Sequence, residues 1–255
     1  MLQRVLLLSG SLLLLVVGSA FAQFPAIDLT AGQTDVASAV DGTIWSSNIT
    51  QPTGTGVYKP FLRVQDSPTE EGFNTDFRDP QAPLDDKSDP NFTHSVQWSS
   101  LATVTINNVD YYSFQLDANE PQNKTESLIS LDALRIYTSG DPALASLSGL
   151  TPLYNLDGTV NQTVFIETAL KPGSGTDDMT VYIPKSFFAS VNGSDYMYFY
   201  TQFGLSDAVD PGLVSDATFE EWRGLQGPTQ QVPEPATLVL LGGGLLGMMG
   251  IRRRK

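Results

Sequence analysis

The chain has 255 residues and carries 28 acidic against 14 basic side chains, a formal net charge of −14, with no cysteine and a single histidine. That balance excludes nucleic acid as a partner, because displacing phosphate counterions takes clustered Lys and Arg, and it disfavours anionic lipid surfaces. Without cysteine there are no disulfide staples, thiol nucleophiles or zinc–thiolate sites, so the body has to rely on a packed core, for which 41% apolar and 10% aromatic content suffices.

Residues 1–22 have the three-part build of a cleavable export signal: a positive charge at Arg4, an apolar run from Val5 to Val17, and the small residues Ala20 and Ala22 before Gln23. The run is shorter than the roughly 20 apolar residues that span a bilayer. Passage through the Sec export machinery and cutting by signal peptidase are expected, with the mature chain starting at Gln23.

Residues 23–226 read as one all-β domain, a single antiparallel β-sandwich, jelly-roll-like, because short runs rich in β-formers are separated by Gly, Pro, Asn, Asp and Ser. A weak strand is expected at Thr43 to Trp45. A stronger one runs from Val57 to Gln65, with Leu62 and Val64 on one face and Phe61, Arg63 and Gln65 on the other. Asp66 to Asn91, crowded with Pro68, Pro80, Pro83, Pro90 and acidic residues, reads as a long surface excursion. Further strands are expected at Ala102 to Ile106, Val109 to Asp117, Leu131 to Thr138, Thr163 to Glu167 and Met179 to Ile183. The longest alternation, Asp195 to Phe203, carries large side chains on both faces and suits a central strand. Short helices are expected at Lys185 to Ala189 and at Asp216 to Trp222, and residues 227–231 read as a linker.

The acidic body, nine basic and 27 acidic residues between Gln23 and Gln231 with a formal charge near −18, offers few catalytic arrangements. His94 stands alone, without a G-x-S-x-G nucleophile turn, and reads as a loop or strand-edge residue. Carboxylates for a two-acid glycoside hydrolase exist at Glu70-Glu71, Glu120, Glu167 and Glu220-Glu221, but adjacent acids on a strand point to opposite faces. The body is read as non-enzymatic. Structural calcium is the one candidate cofactor, on Asp85, Asp86 and Asp89, on Asp157, or on Asp207 with Asp210, against the simpler reading of solvated charge. Tyr196, Tyr198 and Tyr200 share one face of their strand and form a candidate row for stacking on sugar rings, against core packing or cover by a loop.

The C-terminal end reverses the logic of the N-terminal one. Val232-Pro233-Glu234-Pro235 is held extended by its prolines. Ala236 to Ile251 is apolar and uncharged, about 24 Å long as a helix and therefore a marginal span, and Arg252, Arg253, Arg254 and Lys255 hold the end on the cytoplasmic side. In this order, within residues 232–255, these features resemble the PEP-CTERM sorting signal of Gram-negative bacteria. Phe61 to Gln65, Glu70 to Asp76, Ile129 to Tyr137 and Phe219 to Trp222 are similar to segments of PEP-CTERM proteins without a defined activity. The resemblance implies transient insertion in the inner membrane through 236–251 with the body in the periplasm, cutting by an exosortase, release to the cell surface or the extracellular space, and association with exopolysaccharide and biofilm. The expectation is therefore a non-catalytic surface or matrix protein. Its alternatives are a carbohydrate-binding module for exopolysaccharide, with or without a calcium requirement, and a carboxylate-pair glycoside hydrolase.

Overall fold

The computed structural model describes residues 26–225 apart from 33, 39–40, 49–58, 122–126, 159, 172–174, 205–212 and 217. The export signal, the linker and the sorting tail lie outside the described residues. Among the described residues no helix is long and apolar enough to cross a membrane.

Two sheets are formed. The first runs β1 (Ala26–Asp28), β11 (Thr163–Glu167), β9 (Leu128–Ser139), β13 (Tyr196–Phe203) and β5 (Glu70–Phe73), with β10 (Tyr154–Asn155) on β9 and β6 (Val96–Gln97) on β13. The second runs β2 (Asp35–Ala37), β3 (Ile44–Ser46), β12 (Met179–Pro184), β8 (Val109–Ala118), β14 (Glu220–Gly224) and β4 (Leu62–Val64), with β7 (Thr103–Ile106) on β8. The chain is all-β with mostly antiparallel sheets; the exception to the expected antiparallel pairing is β1, which lies parallel to β11.

Alternation explains how the sheets meet. Met197, Phe199, Thr201 and Phe203 on β13 are fully buried, and so are Phe114 and Leu116 on β8 and Trp222 on β14. Rings from the two sheets interlock: Phe114 lies 5.0 Å and Trp222 4.7 Å from Phe199, centroid to centroid. Aromatics of this size bury about 150–250 Å² each and dominate a core. Phe61, expected on the face opposite Leu62 and Val64, is buried with them, 2% exposed, and packs edge-on against Phe114 and Phe199. It precedes β4, so strand alternation does not govern its direction.

Two other expectations are corrected. The stretch Asp66 to Asn91 is not wholly a surface excursion, since β5 lies within it and pairs with β13 from Tyr200↔Phe73 to Phe203↔Glu70. The helix expected at Asp216 to Trp222 is replaced by β14, which is paired on both sides, with β8 and with β4. A five-residue strand flanked by two ladders gains more from pairing and from burying Trp222 than a short helix could from propensity. Lys185–Phe188 is a 3₁₀ helix, placed where the first short helix was expected.

Candidate functional site

The double acids of β5 and β14 organise one end of the sandwich. Because side chains alternate along a strand, one acid of each pair has to point inward. On the outer side, Glu221 accepts from Arg63 Nε at 2.7 Å and pairs with its Nη2 as well. The Arg63 guanidinium is also stacked between aromatic rings, 3.4 Å from the Phe92 centroid and 4.2 Å from that of Phe219. Glu71 likewise accepts a hydrogen bond from the Tyr200 hydroxyl.

The inner members are Glu70, 1% exposed, and Glu220, fully buried; Glu120, 2% exposed, joins them just past the end of β8. The Glu220 carboxyl lies within hydrogen-bonding reach of those of Glu70 and Glu120. A carboxyl of this group that keeps its proton donates to its neighbour. Glu70 Oε2 accepts from Asp66 N at 3.1 Å, and Glu120 accepts from Asp216 N at 3.2 and 3.4 Å. Burial pushes all three carboxyls above the ordinary range, and their mutual repulsion adds to it for Glu120 and Glu220.

A second acidic group lies between β8 and β12. Asp117 accepts from Gly175 N at 2.6 Å, Asp178 from Ala118 N at 2.9 Å, and Asp177 pairs with Arg223 at 2.6 Å. Burial raises Asp117 to about 7 and Asp178 well above its usual value. This group has Arg223 and Lys171 as cations in its field.

The calcium candidates do not come together. Asp85 accepts from Glu71 N at 2.8 Å, Asp89 closes a turn onto Asn91, and Asp86 is buried beneath Gly72. Asp157 holds the Gln162 N–H at 3.1 Å and faces Arg135 at 3.6 Å. Asp207 and Asp210 lie outside the described residues. Among the described residues no group of three or more acidic or imidazole side chains could hold a metal ion.

The tyrosine row lies on the outer face of β13, and the loop 141–150 crosses it. Tyr198 is fully buried; its hydroxyl donates to the Asp141 carbonyl and accepts from Leu144 N at 3.2 Å. Leu144 and Leu147 pack on Phe73, Tyr137 and Tyr198. Tyr196 and Tyr200 stay half-buried on either side, so the structure does not present the three rings as one open platform. His94 is half-buried beside Asp76, but Asp76 holds Ser95, accepting from its hydroxyl at 2.7 Å and from its N–H at 2.8 Å. The serine thus faces a carboxylate and not the imidazole, and burial lowers the His94 pKa. An open hollow of about 750 Å³ lies between the Asn108–Asp110 turn and the Lys185–Phe188 helix, floored by Trp98, Tyr112 and Phe188.

The inward cluster Glu70, Glu120 and Glu220 was present in the sequence as candidate carboxylates, but only the placing of β5 and β14 on facing sheets brings them together. The sorting residues Val232, Pro233, Glu234, Pro235, Arg252, Arg253 and Arg254, and the export-cleavage residues Ala20, Ala22 and Gln23, lie outside the described residues. The family model described as the PEP-CTERM protein-sorting motif matches residues 231–255. No curated protein and no solved structure matches the chain.

Proposed function

Because the chain carries a PEP-CTERM protein-sorting motif at residues 231–255, we propose that it is an exported exosortase substrate whose acidic β-sandwich serves a non-catalytic role at the cell surface or in the extracellular matrix. The sorting motif is the observation that carries this reading, since that motif is the recognition signal for exosortase. The apolar stretch 236–251 is short and glycine-rich, which suits a temporary hold in the inner membrane better than a lasting one. Proline fixes its own φ and disfavours helix at the residue before it, so the Val232-Pro233-Glu234-Pro235 sequence suits the extended form in which a processing enzyme takes its substrate. The folded body then stays in the periplasm until the cut releases it.

Mass spectrometry of the exported protein tests this. A mature C-terminus between Pro233 and Pro235 is expected, with Arg252 to Lys255 missing; recovery of the intact basic tail in the exported form would sink the proposal.

A second reading makes the body a binding module for the cell's own exopolysaccharide. The half-buried rings of Tyr196 and Tyr200 favour it, since the apolar face of a sugar stacks on such rings, and the covered Tyr198 weighs against it. Retention on the purified polysaccharide that falls when both are changed to alanine would support it; equal retention of the variant would remove it.

A further inference from the structure

The hairpin of β7 and β8 leaves one strand edge of the second sheet open. Asn107 and Asn108, both at positive φ, form the two-residue turn that closes it, with Ile106 opposite Val109. The pair flanking such a turn exchanges both backbone hydrogen bonds, and every second pair after it does the same. Ile106 and Val104 therefore bond to Val109 and Tyr111. The same parity continues along β8, where the Ser113 carbonyl accepts from Leu225 N at 3.1 Å. Thr103 and Thr105, both exposed, direct their backbone N–H and C=O groups away from β8, and among the described residues nothing pairs with them there.

Other edges of the sandwich are guarded. On β4 and β5, Gln65 N donates to the Asp85 carbonyl at 3.2 Å, Lys87 N to that of Arg63 at 2.9 Å and Asp85 N to that of Glu71 at 3.1 Å. β1 and β2 carry Asp28 and Asp35, charges of the kind that keep strand edges apart. β7 has none of these devices: Thr103-Val104-Thr105-Ile106 is uncharged, free of proline, β-branched throughout and in unbroken register with β8.

Charge and register together indicate what fits this edge. No charged side chain occurs between His94 and Asp110, so along this stretch of an acidic chain a second copy meets no like charge from the strand it joins. The outward groups stand two residues apart. A two-fold axis through Val104 sets Thr103 opposite Thr105 of the second copy and Thr105 opposite its Thr103, and this antiparallel register pairs every outward N–H with an outward C=O. Val104 then lies beside its own counterpart, Cα atoms about 4.5 Å apart, on the face that also holds the half-buried Ile106 and Val109, which is 43% exposed. The hairpin's own charge, Asp110, is opposite Thr105 and accepts from its hydroxyl at 2.7 Å. With strands about 4.8 Å apart, the two Asp110 residues are roughly 16 Å from each other, about twice the screening length of roughly 8 Å at physiological salt.

We propose that β7 is a self-association edge, through which two copies of this chain join antiparallel about a two-fold axis at Val104 and make one sheet continuous across both bodies. A two-fold contact uses up the edge on each copy, so assembly closes at the dimer. The paired strands are short, and the contact falls below the roughly 1,200 Å² of a stable interface. It forms where copies are crowded and comes apart in dilute solution.

Sedimentation of the exported protein at physiological salt tests this. Between about 10 µM and 1 mM it is expected to pass from monomer to dimer, with the Thr103 and Thr105 amides exchanging hydrogen more slowly at the higher concentration. Val104→Lys and Val104→Glu each set like charges against one another across the axis, leave the backbone bonds to β8 in place, and should each weaken association at least about tenfold. An equimolar mixture of the two sets opposite charges across the axis and should restore the dimer. Thr103→Pro removes an outward N–H at the first residue of the strand, where proline is tolerated, and should weaken association as well; it carries the test if a Val104 variant fails to melt cooperatively. A protein that stays monomeric up to about 1 mM overturns the proposal. So does dimerisation that none of these variants alters, which places the contact elsewhere. Folded Lys and Glu variants that do not pair when mixed overturn the two-fold register, and growth past the dimer overturns closure at one edge.

Discussion

Asp86 sits where a small apolar side chain would ordinarily be found, 8% exposed beneath β5 and bridged to Val64 of β4. Burial raises its pKa from 3.8 to about 9, and the Phe73 N–H and the Arg78 charge offset only part of that. The unfolded chain gives up this proton near pH 4, the folded chain near 9, so folding takes up a proton between those values. The contribution to stability is whole below pH 4 and is lost as pH rises toward and through 9, at up to about 1.4 kcal/mol per pH unit. Asp86→Asn cannot titrate, and the fall in its urea-unfolding free energy between pH 5 and pH 9 should be shallower by about that slope. A slope equal to that of the unchanged protein would show that Asp86 is ionised in the folded state. The residual slope belongs to other raised carboxyls, among them Asp117 and Asp178.

At the scale of elements, the closest approach is between β5 and the segment that runs over β4. A Cβ on Gly72 would fall 1.9 Å from Asp86 Oδ1 and 2.5 Å from Val64 Cγ1. Gly72→Ala therefore forces buried neighbours apart, and overpacking of this kind costs about 1–3 kcal/mol. Its urea midpoint should drop, whereas Gly193→Ala, whose Cβ would meet Ser99 at an ordinary 3.6 Å, should be tolerated at that contact. An unchanged midpoint in Gly72→Ala would mean that β5 has room to spare. The sequence made the longer strands legible: alternation from Tyr196 to Phe203 and from Val109 to Asp117 follows the period of two that a half-buried strand needs. It hid β5 because the prolines and acids around Glu70 have the composition of a loop, and β14 because Asp216 to Trp222 reads as a short helix. The alternation rule still held inside them, placing Glu71 and Glu221 with partners on the outer faces and Glu70 and Glu220 inward. What no local pattern contains is the pairing of β5 and β14 with different sheets, and that pairing is what makes a three-carboxylate cluster. The tyrosine row was legible in the same way, while its cover by 141–150 depends on a loop whose path only tertiary packing sets.

For the whole molecule, the order of strands in space differs from their order in the chain where it matters most. β14 is the last strand among the described residues, yet it lies inside its sheet, matched to β8 over five residues and to β4 over three. A chain stopped after residue 218 takes its neighbouring strand from β4, opens one edge of β8, which keeps β12 on the other, and loses Trp222, which is fully buried. It should aggregate or show no cooperative melt, whereas a chain stopped after residue 226 should melt like the complete body. A cooperative melt in the shorter chain would show that the sheet closes without β14.

The same placement decides how the body would bear a load. Were the body held by its C-terminal end, a pull would enter the described fold through β14. An edge strand under such a pull peels away one rung at a time. β14 has to slide past two neighbours together, so the rungs on both sides share the force, and the strand nearest the attachment point is among the hardest to draw out.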